Sequence, residues 1–237
     1  MDQPASLLAQ LTRVLARTEP EAPTSLRMCV AFSKVLASDG ASITVGIESP
    51  ERIMLCATDE AAAEVEQAQD VLSEGPSVDA YRTGSAVSGL SLAEQRLRWP
   101  MLSEVLETRG LQLDLHAFPV RPDSAVLGVV CVYQAAERAL AVGPDGAQFL
   151  ANALGVALLG HLDSHTASDE RWAARDRFDQ ATGMVVAQLR VGPEDAAAVL
   201  RAHAFAHATT LETVSLWVLD RTLDFSDPDS SDGTQHD

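Results

Sequence analysis

RWAARDRFDQATGMVVAQLRVGPEDAAAVLRAHAFAHATTLETVSLWVLDRTLDF, residues 171–225, consists of three apolar-periodic segments separated by two breaks. Phe178, Ala181, Val185 and Leu189 recur at spacings of three and four, as do Ala197, Leu200, Ala204 and Ala208, and then Leu211, Val214 and Val218. That period lines one face of an α-helix. Gly192-Pro193 ends the first segment and places proline at the opening of the second, where its missing N–H leaves nothing unpaired; Glu194 and Asp195 suit the positive end of the helix dipole. Thr209 and Glu212 stand at capping-box spacing, which starts the third helix near Thr210. The pattern predicts three short helices, each with one stripe to bury, in a minimal bundle. On periodicity alone such a bundle also fits a structural cap or a dimerisation appendage.

The whole chain, 237 residues with 46% apolar and 22% charged, has enough apolar content for a sizeable core and for one domain plus a small second one. Its formal charge of −17 argues against indiscriminate nucleic-acid binding, which rests on Lys and Arg contacts to phosphate. Even residues 168–225 are acidic, with six Arg and no Lys against nine Asp or Glu. A reader of folded RNA loops works by shape, stacking and a few polar contacts, so this balance leaves selective recognition open.

Three cysteines, Cys29, Cys56 and Cys131, each sit in an apolar run without CxxC spacing, the pattern of reduced core thiols. MDQPASLLAQL lacks the basic and strongly apolar regions of a signal peptide, and the longest apolar stretches, near 125–132 and 149–159, are too short for a bilayer. A soluble, cytoplasmic protein is expected.

Taken in order, residues 3–17 carry Leu7, Leu8, Leu11, Val14 and Leu15 as a helical stripe before a Pro-rich break at residues 19–23. That stripe either packs on its own domain or meets a second subunit. Thr24 is placed to cap the next helix, which stops at Asp39-Gly40. Residues 41–47 and 52–57 read as strands joined by a hairpin, 59–73 as a helix, 77–84 as a short helical turn leading to a brief strand at 85–88. A helix follows Trp99-Pro100 and is closed by Gly110; residues 113–121 and 126–133 are strands, the latter almost continuously apolar and therefore central; a long helix begins at Pro144. Helices, strands interleaved with short helices, and a closing helix give an α+β fold around an antiparallel sheet flanked by helices.

Residues 24–162 resemble a GAF domain on Ala57-Thr58-Asp59, then Ser73-Glu74-Gly75-Pro76-Ser77-Val78-Asp79-Ala80 with Arg82-Thr83-Gly84, then Arg98-Trp99-Pro100, Pro119 and Leu127-Gly128. The C-terminal stretch resembles the ANTAR family on Asp179-Gln180-Ala181-Thr182-Gly183-Met184, Glu194-Asp195-Ala196, Leu200-Arg201 with Ala204, and residues 211–215. Domains are thereby expected at 24–162 (GAF) and 163–225 (a three-helix ANTAR bundle), with an N-terminal helix and break at 1–23 and a disordered acidic tail at 226–237. The GAF resemblance implies a sensory module with a pocket between sheet and helices, for an unknown small-molecule or protein signal; Tyr81, Arg82 and Trp99 are candidates for its edges. Two of them also have a plainer reading: Trp99 as a core anchor, Arg82 as a solvated or structurally paired charge. Many relatives carry Cys where Ser77 stands, so thiolate chemistry is not expected there. The ANTAR resemblance implies binding of paired RNA stem-loops in nascent leader transcripts, preventing a terminator hairpin. It assigns RNA contact to Gln180, Thr182, Gly183 and Arg201, and packing to Ala181, Leu200, Ala204 and Leu211.

Catalytic constellations are absent from the sequence. His161/His165 and His203/His207 are i,i+4 pairs without the further ligands a metal needs, and HExxH, GxGxxG and GxxxxGK[ST] do not occur. No cofactor, metal or enzymatic activity is expected. Leu154, Leu158, Leu162, His165, Asp169 and Trp172 lie close to one helical face, and neither Gly nor Pro occurs between Gly160 and Gly183, so one helix either runs through the join or frays at 164–168. The sequence therefore predicts a signal-responsive RNA-binding regulator that acts as a homodimer through its terminal helices. The competing class is a GAF-dimer scaffold whose acidic helical module docks another protein.

Overall fold

The computed structural model describes residues 4–46, 52–121, 125–135, 138–162 and 170–226. They belong to two compact units, Met1–Ala167 and Ser168–Asp237.

The first unit begins with helices α1 (Pro4–Arg17) and α2 (Thr24–Leu36), then strands β1 (Gly40–Val45) and β2 (Ile53–Ala57). Helices α3 (Glu60–Leu72), α4 (Pro76–Thr83), α5 (Leu92–Arg98) and α6 (Pro100–Thr108) follow, then β3 (Leu113–Val120), β4 (Gly128–Ala135) and α7 (Pro144–Leu162). The strands form an antiparallel sheet in the order β2-β1-β4-β3. The apolar run predicted to be central is β4, buried between β1 and β3. The architecture is α+β, with helices on both faces of the sheet.

Register and alternation decide what each face carries. Ile43 pairs with Val130, and Val130 with Phe118, so these residues share the face covered by α2 and α7. There Phe32 of α2 meets Phe118 with ring centroids 6.2 Å apart, and Leu36, Leu150, Leu154 and Leu158 complete an apolar layer. The stripe of α1 buries Leu7 and Leu11 against α2 and α7 of its own unit. On the opposite face Ser42 pairs with Cys131 and Thr44 with Val129, beneath α3 and α4. Leu115 and Ala117 of β3 join Val65, Ala80, Trp99, Leu102 and Leu106 in an apolar cluster at the far end of that face.

Several local expectations are corrected. Residues 85–88 form no strand; a single bridge joins Val87 to Ala117. Thr24 is the first residue of α2 rather than its cap, because Pro23 holds the flanking position and makes no side-chain bond. The segment before Trp99 contains an unforeseen helix, α5, whose Ser91 and Glu94 form a reciprocal capping box. The hairpin turn at 48–51, the join at 163–169 and the tail beyond Ser226 lie outside the described residues.

The second unit contains α8 (Glu170–Leu189), α9 (Pro193–Ala206) and α10 (Leu211–Leu219), each in contact with the other two. The predicted stripes are the buried ones: Phe178, Ala181 and Val185; Ala197, Leu200 and Ala204; Val214 and Val218. At their ends, Leu189 and Leu211 are half-buried and Ala208 is exposed. The cap of α10 is Thr210, whose hydroxyl accepts from the Thr213 N–H at 3.2 Å. Glu212, expected in a capping box with Thr209, instead pairs with Arg177 of α8. Among the described residues, no helix is long and apolar enough to cross a membrane.

Candidate functional site

The unusual chemistry of the first unit lies under α3. That helix buries Ala62, Val65 and Ala68, but its inward surface also carries Glu66 and Gln69, which are 3% and 0% exposed. Glu66 Oε2 accepts hydrogen bonds from the Ser42 hydroxyl at 3.1 Å, the Ser77 hydroxyl at 3.0 Å and the Gln69 amide at 3.3 Å. Arg52, just before β2, brings Nη1 to 3.3 Å from the other carboxylate oxygen, and both side chains are almost fully enclosed. The angle there is poor: neither Arg52 Nη1 nor Glu66 Oε1 makes a hydrogen bond of acceptable geometry, and the buried Thr44 hydroxyl has no partner. Two charges and an unsatisfied hydroxyl in a closed layer cost stability, because desolvation of each ion offsets their attraction.

The loop between α3 and α4 is shaped around this network. Gln69 Oε1 accepts from the Ser77 N–H at 2.8 Å. Gly75 has φ +135, and a Cβ there would stand 2.5 Å from Gln69 Oε1, so both backbone conformation and close approach demand glycine. Pro76 opens α4 and delivers Ser77 to Glu66. Ser77, at the position where the GAF resemblance often has cysteine, is thus a buried donor to a carboxylate. Cys131 lies beside the network, with its sulfur 3.9 Å from Gln69 Nε2. Burial first, and the charge of Glu66 second, push its thiol up to about 12, so it stays protonated and unreactive.

The predicted pocket residues lie on α4 and at the junction of α5 and α6. Tyr81 is half-buried against the α3–α6 cluster, and its hydroxyl lies where a Cβ on Gly46 would fall. Arg82, its neighbour on α4, is exposed. Trp99 is 2% exposed, its indole N–H donates to Asp79 Oδ2 at 3.0 Å, and Arg98 reaches the same oxygen at 2.9 Å while lying over the indole ring. Trp99 also borders a cleft with Leu92, Gln95, Leu106, Leu111 and Leu113, of volume ≈ 30 Å³. That is room for a water or two, far below the roughly 300–1,000 Å³ of small-molecule pockets.

In the second unit the four residues assigned to RNA divide between two surfaces. Gln180 and Gly183 are exposed on α8, on the side away from Phe178 and Ala181. Thr182 is half-buried with its hydroxyl unpaired, and Arg201 of α9 is half-buried with its guanidinium 5.9 Å from the Phe178 ring. A further group gave only a faint sequence signal, the i,i+4 spacing of two histidines. The rings of His203 and His207 are 4.2 Å apart, both lie edge-on to Trp217, and Phe225 packs edge-on to His203. Partial burial, then the neighbouring His207, lowers the His203 pKa. Among the described residues no group of three or more His, Cys, Asp or Glu could hold a metal.

No protein-family model and no curated protein matches the chain. Its neighbours among solved structures include the GAF domain of a phosphoenolpyruvate-protein phosphotransferase from Coxiella burnetii, at TM-score 0.48 and 16% identity, covering 70% of this chain and 100% of that one. The GAF domain of the Acinetobacter phosphoenolpyruvate-protein phosphotransferase follows at TM-score 0.45 and 15% identity, covering 71% of this chain and 99% of its own. The chromophore-binding domain of the Stigmatella aurantiaca bacteriophytochrome is similar at TM-score 0.37 and 16% identity, over 67% of this chain and 61% of that one.

Proposed function

We propose that this chain is a signal-responsive RNA-binding regulator: a GAF-type sensor at 24–162 controls an ANTAR-type helical reader at 163–225, which holds paired stem-loops of nascent leader RNA against termination. It is a binding protein in this reading, not an enzyme. The observation that carries the sensory half is the polar layer of Ser42, Thr44, Arg52, Glu66, Gln69 and Ser77, closed between α3 and the sheet. Stability does not require such a layer, since apolar side chains of similar volume would pack there at no loss. A small polar ligand entering it would complete the unsatisfied bonds and displace α3 or α4. The RNA half is supported by the motif residues 179–184 and 200–201, with Gln180 and Gly183 open to solvent.

Exposed Leu8 of α1 and Val156 of α7 support the homodimer, since these terminal helices touch one another and leave both residues uncovered. The scaffold alternative draws on the acidic balance of residues 168–225, nine carboxylates against six Arg. Crosslinking of the tagged full chain in its own cells, with sequencing of bound RNA, separates the two. Paired hairpins upstream of coding regions should be enriched, and lost in a Gln180→Ala/Arg201→Ala variant that still folds. Equal recovery from wild type and variant would leave the scaffold.

A further inference from the structure

Cys56 and Cys29 meet on the face of the sheet opposite to Glu66. Cys56 pairs with Ile43 across β1 and β2, and Ile43 belongs to the side covered by α2. The Cys56 sulfur approaches the carbonyl oxygen of Ser25, on α2, at 3.2 Å. Cys29 is one helical turn beyond Ser25, on the same face of α2, and fully buried. The two thiols therefore face one another across the α2–β2 junction. Cys131 is excluded from this pairing by register, because it stands opposite Ser42 and points to the α3 side. Access is asymmetric: Cys56 is half-buried on an edge strand and Cys29 is sealed behind it.

We infer that Cys29 and Cys56 are a site of reversible modification, closing to an intramolecular disulfide when a hydroperoxide reaches Cys56. The Cys56 thiolate attacks the peroxide O–O bond, forming a sulfenic acid and releasing alcohol or water. The Cys29 sulfur then attacks the Cys56 sulfur; the S–O bond breaks, the S–S bond forms, and the hydroxyl leaves as water with the proton of Cys29. Two thiols and one hydroperoxide thus give one disulfide, one water and one alcohol, or a second water when the oxidant is hydrogen peroxide. A dithiol reductant returns the pair to its resting state. The neighbouring Cys56 and burial hold the Cys29 thiol well above the ordinary range, which lowers its thiolate fraction and makes the second step the slow one. The product ties α2 to the edge strand.

The test is peptide mass spectrometry of the full-length protein after hydrogen peroxide, with dimedone to trap sulfenic acid and maleimide to count thiols. Two of the three thiols should be lost in the wild type. A Cys29–Cys56 linked peptide, two hydrogens lighter than its parts, should appear and vanish on reduction. Cys131→Ser should leave that product unchanged, and Cys29→Ser should convert it to a dimedone adduct on Cys56. If Cys29→Ser fails to fold by circular dichroism, Cys29→Ala takes its place, and the wild-type linked peptide decides by itself. Oxidation of Cys56 without a linked peptide, a linkage involving Cys131, or a linkage only between two molecules overturns the inference.

Discussion

The two faces of the sheet are built from the same strands yet carry opposite chemistry. Toward α2 and α7, Ala41, Ile43, Val45, Phe118, Val130 and Val132 are all 1% exposed or less and meet Phe32, Leu36 and Leu150. Toward α3, β1 offers Ser42, which bonds Glu66 beside Gln69 and Ser77, and Thr44, whose buried hydroxyl has no partner. Shifting one residue along β1 exchanges an apolar environment for an ionic one. The first face is where burial stabilises the fold; the second retains groups that burial penalises. The layer is kept at a loss in stability, so under the proposed reading the α3 side, and not the Trp99 cleft, is where a signal would act.

The widest separation between the faces is expected from Phe32→Ala. The ring is fully buried against Phe118. Its removal should cost ~3–5 kcal/mol through lost transfer energy and the remaining cavity. A loss of well under about 1 kcal/mol by urea unfolding would mean that the apolar face is not the stabilising one.

Slightly smaller, and aimed at the polar face, is Arg52→Ala, which strands the Glu66 carboxylate and should cost about 3 kcal/mol. The informative variant is the double one, Arg52→Met with Glu66→Leu. It should recover most of the loss or exceed wild-type stability, as apolar replacements of buried ion pairs often do. If the double variant remains as unstable as the single one, the layer is structural and the contrast between the faces fails.

How much of this was legible beforehand follows from the kind of signal involved. The helical stripes at Phe178, Leu200 and Val214 and the central run of β4 rest on periodicity, which burial directly produces. The cap at Thr210 rests on competition between neighbouring hydroxyls, Thr209 against Thr210, that spacing does not resolve, whereas the unforeseen α5 carries the Ser91–Glu94 spacing but at 7 residues is too short to show a periodic stripe. The polar layer was the hardest to see. Glu66 sits in an Ala- and Glu-rich helix where its charge reads as solvated, and its partners Ser42, Arg52 and Ser77 lie 24, 14 and 11 residues away, brought together only by the sheet register. Gly75 and Ser77 were visible as motif residues, yet their purpose, clearing room for Gln69 and bonding Glu66, needed the fold.

A pH-dependent effect should come from the edge of the apolar face. His116, 6% exposed, shares the register of Phe118, and its Nδ1 is 2.9 Å from the Ser88 hydroxyl and accepts from the Gly89 N–H at 3.3 Å. An N–H directed at Nδ1 requires the neutral ring, and burial lowers the pKa with it. Because the unfolded chain takes up the proton first, stability from His116 is complete above the ordinary imidazole range and falls as acid titrates the ring, from about pH 6.5 downward. Urea midpoints at about pH 7.5 and 5.5 should drop less for His116→Gln than for wild type. Equal drops would show that His116 is not the titrating group on that face.

The smallest effect supplies the control for burial itself. Arg177 and Glu212 join α8 to α10 with the same two side-chain chemistries as Arg52 and Glu66, but their side chains are 30% and 50% exposed rather than 5% and 3%. Solvent screens the exposed pair and leaves neither charge stranded when one is removed, so Glu212→Gln should shift the stability of the helical unit by only ~0.5 kcal/mol or less. The hydroxyl of Thr210 continues to cap α10 in that variant, because the cap never used the carboxylate. A cost approaching that of Arg52→Ala would mean that pairing chemistry, not enclosure, sets the energy of these ion pairs. The polar face under α3 would then lose the property that distinguishes it.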